Sequence, residues 1–121
     1  MNVKIQKVKT YANVGLEGYE IVIEADSSKS LPTIEIVGLP DAAIKESKER
    51  LRATFRNAEI WLNNKKIVLN LSPSDIKKVG TSFDLPMAVA ILLLVYEKDL
   101  TIEVSDFLFF GELGLDGSIK R

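Results

Sequence analysis

The chain contains no cysteine and no histidine. Without cysteine there are no disulfides, no thiolate nucleophile and no sulfur-ligated zinc. Without histidine the commonest general base and metal ligand is missing, which removes whole classes of hydrolase and metalloenzyme. Proline is scarce at 4 and tryptophan occurs once. Charge of one sign is also lacking: 16 basic and 17 acidic side chains leave a net charge of -1. That balance gives no general pull toward nucleic acid or anionic membrane. Long apolar runs are absent too. Leu85 to Tyr96 is too short to span a bilayer, and Met1-Asn2-Val3-Lys4 opens no apolar signal region. The expectation is a cytoplasmic domain with no membrane partner. At 121 residues with 46% hydrophobic side chains, the chain is one domain with enough apolar mass for a core.

What is present organises itself around one stretch. The strand candidate Lys66 to Leu71 runs into the polar loop Ser72-Pro73-Ser74-Asp75-Ile76-Lys77-Lys78-Val79-Gly80-Thr81-Ser82, which feeds the apolar run Met87 to Tyr96. A short loop between rigid elements is where binding side chains are usually held.

Upstream, Val3, Ile5 and Val8 alternate loosely with polar residues as a first strand, and Tyr11 to Leu16 reads as a turn. Gly18 to Asp26 alternates more cleanly, with Tyr19, Ile21 and Ile23 on one side, so the pair predicts an antiparallel hairpin. Ser27-Ser28-Lys29-Ser30 reads as a break, and Thr33 to Val37 as a third strand ended by Gly38-Leu39-Pro40. Asp41 is positioned to cap a helix whose stripe is Ile44, Ser47, Leu51, Phe55 and Ala58. Glu46 and Arg50, four apart, are spaced as a surface pair. Met87 to Leu94 is apolar almost all round and predicts a central helix, capped by Asp84 with Pro86 in its first turn. Leu100 to Val104 reads as strand or loop. Phe107 to Leu113 predicts a fifth strand and Asp116-Gly117 a hairpin turn, whose return arm is expected to continue past Arg121. The fold class is α+β: a two-layer sandwich, a mixed sheet with helices on one face.

Three clusters carry possible chemistry. Ser82 stands beside Gly80 at a helix mouth, where free N–H groups would assist a nucleophile; the base would have to be a lysine or carboxylate. Capping is the plainer role for such a serine. Lys77 and Lys78 with Gly80 could hold a phosphate, but Lys-Lys-Val-Gly-Thr-Ser is not Gly-x-x-x-x-Gly-Lys-Ser/Thr, so there is no Walker A loop. Lys45, Lys48, Arg52 and Arg56 fall near one side of the first helix, diluted by Glu46, Glu49 and Glu59. That side could touch a nucleic-acid backbone or simply face solvent. Trp61, Phe83 and the Phe107, Phe109, Phe110 set read as core or hinge packing. Asp75, Asp84, Glu112 and Asp116 are too scattered to assert a metal site.

The blocks Ile36-Val37-Gly38-Leu39-Pro40-Asp41, Lys45-Glu46-Ser47 with Glu49-Arg50, Asn70-Leu71-Ser72-Pro73-Ser74-Asp75-Ile76-Lys77-Lys78 with Gly80, Phe83-Asp84-Leu85-Pro86, and Phe110-Gly111-Glu112-Leu113 with Leu115-Asp116-Gly117 carry a resemblance. In order and spacing they resemble the N-terminal domain of the magnesium-chelatase-like AAA+ ATPases of the ComM/YifB family. The resemblance implies a fold similar to the proteolytic domain of Lon protease and to a ribosomal protein domain. It implies that residues 1–121 are the N-terminal domain of a larger ATPase whose module, with its ATP and Mg2+, lies beyond Arg121; no cofactor is expected in this stretch. The parent is then a hexameric DNA helicase that promotes branch migration during natural transformation. The domain's partners are its own C-terminal ATPase module, neighbouring subunits of the hexamer, and DNA through the assembled ring. Against the Lon pattern Lys-Asp-Gly-Pro-Ser-Ala-Gly, Ser82 stands where the protease serine stands, but Phe83 and Asp84 replace two small residues. The partner lysine would fall past Arg121. The reading that follows is a domain with no catalytic residue of its own; the alternative is a Lon-like serine-lysine peptidase using Ser82.

Overall fold

A computed structural model describes residues 5–14, 17–29, 31–62, 65–73, 83–96, 112–113, 115–116 and 119–120. Its elements are β1 (Gln6–Val14), β2 (Glu17–Lys29), β3 (Thr33–Val37), α1 (Asp41–Asn57), β4 (Lys65–Ser72), α2 (Asp84–Val95), β5 (Glu112–Leu113) and β6 (Ile119–Lys120). The four long strands form one mixed sheet in the order β1-β2-β4-β3, antiparallel except where β3 runs parallel to β4. This is the expected α+β arrangement.

Period-two alternation decides which face is covered. Val8 of β1 stands opposite Ile23 of β2, which stands opposite Leu71 of β4. Ala25 meets Leu69, which meets Ile36 of β3; Ile67 meets Ile34. All of these are buried, with Thr10 and Ile21 beside them. Onto this face α2 packs across β1 and β2, while α1 packs against β3. Nine of the twelve α2 residues are buried, as its uniformly apolar sequence requires. The second face carries the alternate residues, with ion pairs Lys9–Glu20 at 3.7 Å and Lys66–Glu35 at 3.3 Å. Those pairs join exposed groups and contribute little stability.

Both turn assignments around β2 need correcting. β1 continues through Tyr11 to Val14, which pairs with Glu17, so the hairpin connection is shorter than the expected turn. Ser27, Ser28 and Lys29 are strand as well, held by pairing with Ile67, Lys66 and Lys65. Ladder pairing with a central strand overrides their weak strand propensity. The β5–β6 hairpin around Leu115 and Asp116 agrees with the turn read from Asp116-Gly117. Asn57 Nδ2 donates to the Leu115 carbonyl at 2.8 Å and ties that turn to the end of α1. Positions 100–104 and 107–110 lie outside the described residues.

Neither expected side-chain cap forms. Pro40 occupies the N-cap of α1 and Asp41 is already helical, favouring the N-terminus by charge alone. Phe83 occupies the N-cap of α2 and Asp84 is its first residue, with Pro86 in the first turn as expected. Ala58, placed on the α1 stripe by sequence, is exposed at the C-cap, and Thr54 is buried in its stead.

The α1 C-terminus closes with two reversed bonds, Glu59 N–H to the Arg56 carbonyl at 3.1 Å and Ile60 N–H to the Phe55 carbonyl at 2.8 Å. This is a Schellman cap with Glu59 at φ 58°, a position that favours glycine. Glu59→Gly is therefore expected to stabilise the fold by about 1 kcal/mol, the left-handed penalty relieved. A thermal midpoint that falls instead would show that the Glu59 side chain makes a contact worth more than that penalty.

Candidate nucleic-acid interface

Of the expected site residues, the structure brings four onto one surface. α1 buries Ser47, Leu51, Thr54 and Phe55, and the flank that begins beside Phe55 turns away from the sheet toward water. Lys45, Arg52 and Arg56 are exposed there and Lys48 is half-buried. At 100° per residue these four lie within about a quarter of the helix circumference. Asp41 and Glu49 fall on the same strip, so it carries two more cations than carboxylates. A shallow depression lined by Asp41, Ile44, Lys45, Lys48, Glu49 and Arg52 runs along it. Chemically the strip can hold a phosphate backbone without reading bases. Ser82, Lys77 and Lys78 lie outside the described residues.

One constellation was not foreseen. Asp84, only 2% exposed, accepts from Arg50 Nε at 2.5 Å and from Arg50 Nη2 at 3.3 Å. The same Nη2 also donates to Ser47 Oγ at 3.1 Å. Hydrogen bonding to Asp84 raises the Arg50 pKa above its ordinary value; burial opposes this, and the charges of Asp84 and Glu46 add to the rise. Arg50 thus turns to Asp84 on α2 rather than forming the expected surface pair with Glu46. The signal available in the sequence was Asp84 itself, a carboxylate opening a run that has to be buried, which demands a cationic partner. Ser47, Arg50 and Asp84 come from two of the motif blocks quoted above, and their joint work is to lock α1 against the start of α2.

Trp61 also departs from expectation. It is 65% exposed, while its neighbours Ile60 and Leu62 pack against the core. Phe83 is buried as expected.

Residues 23–121 match the family described as Subunit ChlI of Mg-chelatase. The chain is 36% identical over 113 residues, 93% of its length, to the uncharacterized protein YifB of Escherichia coli. It is 34% identical, again over 93% of its length, to the competence protein ComM of Haemophilus influenzae. With the protein Rv2897c of Mycobacterium tuberculosis it shares 38% identity over 88% of the chain. The chain belongs to the magnesium-chelatase-like family that includes YifB and ComM. It spans 22% of the length of YifB and of ComM, and 21% of that of Rv2897c.

Proposed function

We propose that this chain is the N-terminal, non-catalytic domain of a magnesium-chelatase-like ATPase, and that its parent is a cytoplasmic hexameric DNA helicase promoting branch migration in natural transformation. The domain supports ring assembly and engages DNA. The observation that carries the DNA contact is the exposed strip of Lys45, Lys48, Arg52 and Arg56 on a helix whose other side is core. Support for the parent's role comes from the similarity to the competence protein ComM.

ATP and Mg2+ belong to the parent in this reading. The sequence has no Walker A loop, and among the described residues no three carboxylates converge on a common point. Among the described residues, no helix is long and apolar enough to cross a membrane.

With a net charge of -1, the chain alone is expected to bind DNA weakly, with a dissociation constant on the order of 10−4–10−5 M at moderate salt. A ring presenting several copies supplies the missing avidity. Fluorescence anisotropy with branched and single-stranded DNA, comparing chain and parent at two salt concentrations, checks this. Arg52→Gln with Arg56→Gln should weaken the parent and flatten its salt dependence. Tight, salt-sensitive binding by the monomeric chain refutes the avidity argument; an unchanged parent removes the α1 strip from the contact.

A further inference from the structure

The parallel register of β3 and β4, and the antiparallel register of β2 and β4, bring the end of β2 and the starts of β3 and β4 to one end of the sheet. Thr33 stands beside Lys66, and Lys29 stands directly opposite Lys65. Two residues before β3 lies Leu31, 83% exposed; four before β4 lies Trp61, 65% exposed. Like charges directly opposite in a ladder are unfavourable. Neither Lys29 nor Lys65 has an ion-pair partner among the described residues. Exposed Leu31 and Trp61, close in sequence to the strand starts, together with two lysines that have no ion-pair partner among the described residues, suit an acidic, partly apolar counterpart.

The molecule carries such a counterpart elsewhere. On the flank of α1 that adjoins the basic strip at Glu49, a depression of about 270 Å3 is lined by Glu46, Glu49, Arg50, Ala53 and Leu115. Its floor is apolar, with Leu115 about half exposed on the β5–β6 turn. Glu46 and Glu49 are exposed at its edge and form no salt bridge among the described residues. The one cation in the lining, Arg50, is already committed to Asp84.

We infer that the sheet end bearing Leu31, Trp61, Lys29 and Lys65 docks into the Glu46–Glu49–Ala53–Leu115 depression of a second copy of this chain. The two surfaces are different patches, so the contact is heterologous and head-to-tail, the kind that closes rings when its rotation permits. Charge complementarity selects the second copy: lysines meet glutamates, and the indole meets the apolar floor. The inference rests on the ring-assembly reading and names its contact.

The test is a charge exchange followed by sedimentation velocity over a concentration series of the 121-residue chain. Lys29→Glu with Lys65→Glu should weaken self-association about tenfold or more, as should Glu46→Lys with Glu49→Lys. Mixing the two variants should restore association, because the original pair of surfaces and the charge-exchanged pair both form between them. All four substitutions in one chain should restore association. Trp61→Ala should abolish it while leaving the unfolding midpoint nearly unchanged, since the ring is exposed. A wild-type chain that stays monomeric throughout, or a fourfold variant that is not restored, overturns the docking. If the lysine variant keeps its association but loses affinity for oligonucleotides, the sheet end is a nucleic-acid contact and the docking is likewise overturned. Parallel measurement on the parent separates the two readings. Rings indifferent to Lys29→Glu with Lys65→Glu sink this contact and leave ring assembly standing. A parent without rings sinks the assembly reading, while swap-dependent pairing of the chain still stands on its own.

Discussion

Replacing Arg50 with methionine is expected to destabilise the fold by about 3 kcal/mol, more than any change to its partner. The asymmetry follows from burial. Asp84 has a side chain 3% exposed, whereas that of Arg50 is 27% exposed. Removing the guanidinium leaves a carboxylate stranded at the head of α2, eased only by the dipole of that helix. Removing the carboxylate charge with Asp84→Asn lets Arg50 turn toward water, a loss of about 1–2 kcal/mol. The two changes together should fall short of their sum by about 1.5 kcal/mol, because they delete one interaction. Arg50→Met with Asp84→Leu should recover most of the loss, since a packed apolar pair replaces a buried ion pair at little penalty. Urea unfolding with a constant m-value reads all four variants. Additive losses of equal size would show that the pair contributes no coupling between α1 and α2.

The pair also sets an expectation for pH. The Arg50 pKa is raised above its ordinary value in the folded state, with the Asp84 hydrogen bond as the largest cause. Its contribution is therefore fully present below the arginine range and lost only as pH rises through the folded value. Between about pH 7 and 9 the stability owed to Arg50 is flat, because arginine stays protonated throughout.

Gly38→Ala is expected to be as damaging by a different route. Gly38 holds φ +104° where β3 ends and the chain swings toward Pro40 and α1. A Cβ there would lie 2.3 Å from the Leu71 carbonyl oxygen and 3.2 Å from Leu71 Cβ. The obstacle is backbone of β4, an interior strand of the sheet, so it cannot yield as a flexible side-chain tip would. Left-handed strain of about 1–2 kcal/mol and overpacking of about 1–3 kcal/mol act together. Against a typical domain stability of about 5–15 kcal/mol, that loss is a large share of the whole. Equilibrium unfolding of the alanine variant checks it. A midpoint within error of wild type would mean that the end of β3 can shift away from Leu71 without losing its ladder.

The periodicity of the chain determined its elements and their layers. Thr33 to Val37 and the uniformly apolar α2 are legible because a two-residue period, or its absence, is written locally. The basic strip of α1 was legible for the same reason, since helix geometry alone gathers Lys45, Lys48, Arg52 and Arg56. Tertiary structure decided what depends on a partner distant in sequence. Ser27 to Lys29 become strand only because Lys65 to Ile67 lie opposite. Asp84, the first residue of α2 and not its cap, is paired with Arg50, 34 positions earlier. Trp61 is left exposed because Ile60 and Leu62, not the indole, turn inward where α1 hands over to β4. In each case local preference amounts to a fraction of a kcal/mol, while ladder pairing, a buried charge or core packing is worth more. That difference in magnitude is why long-range contacts had the last word at these residues.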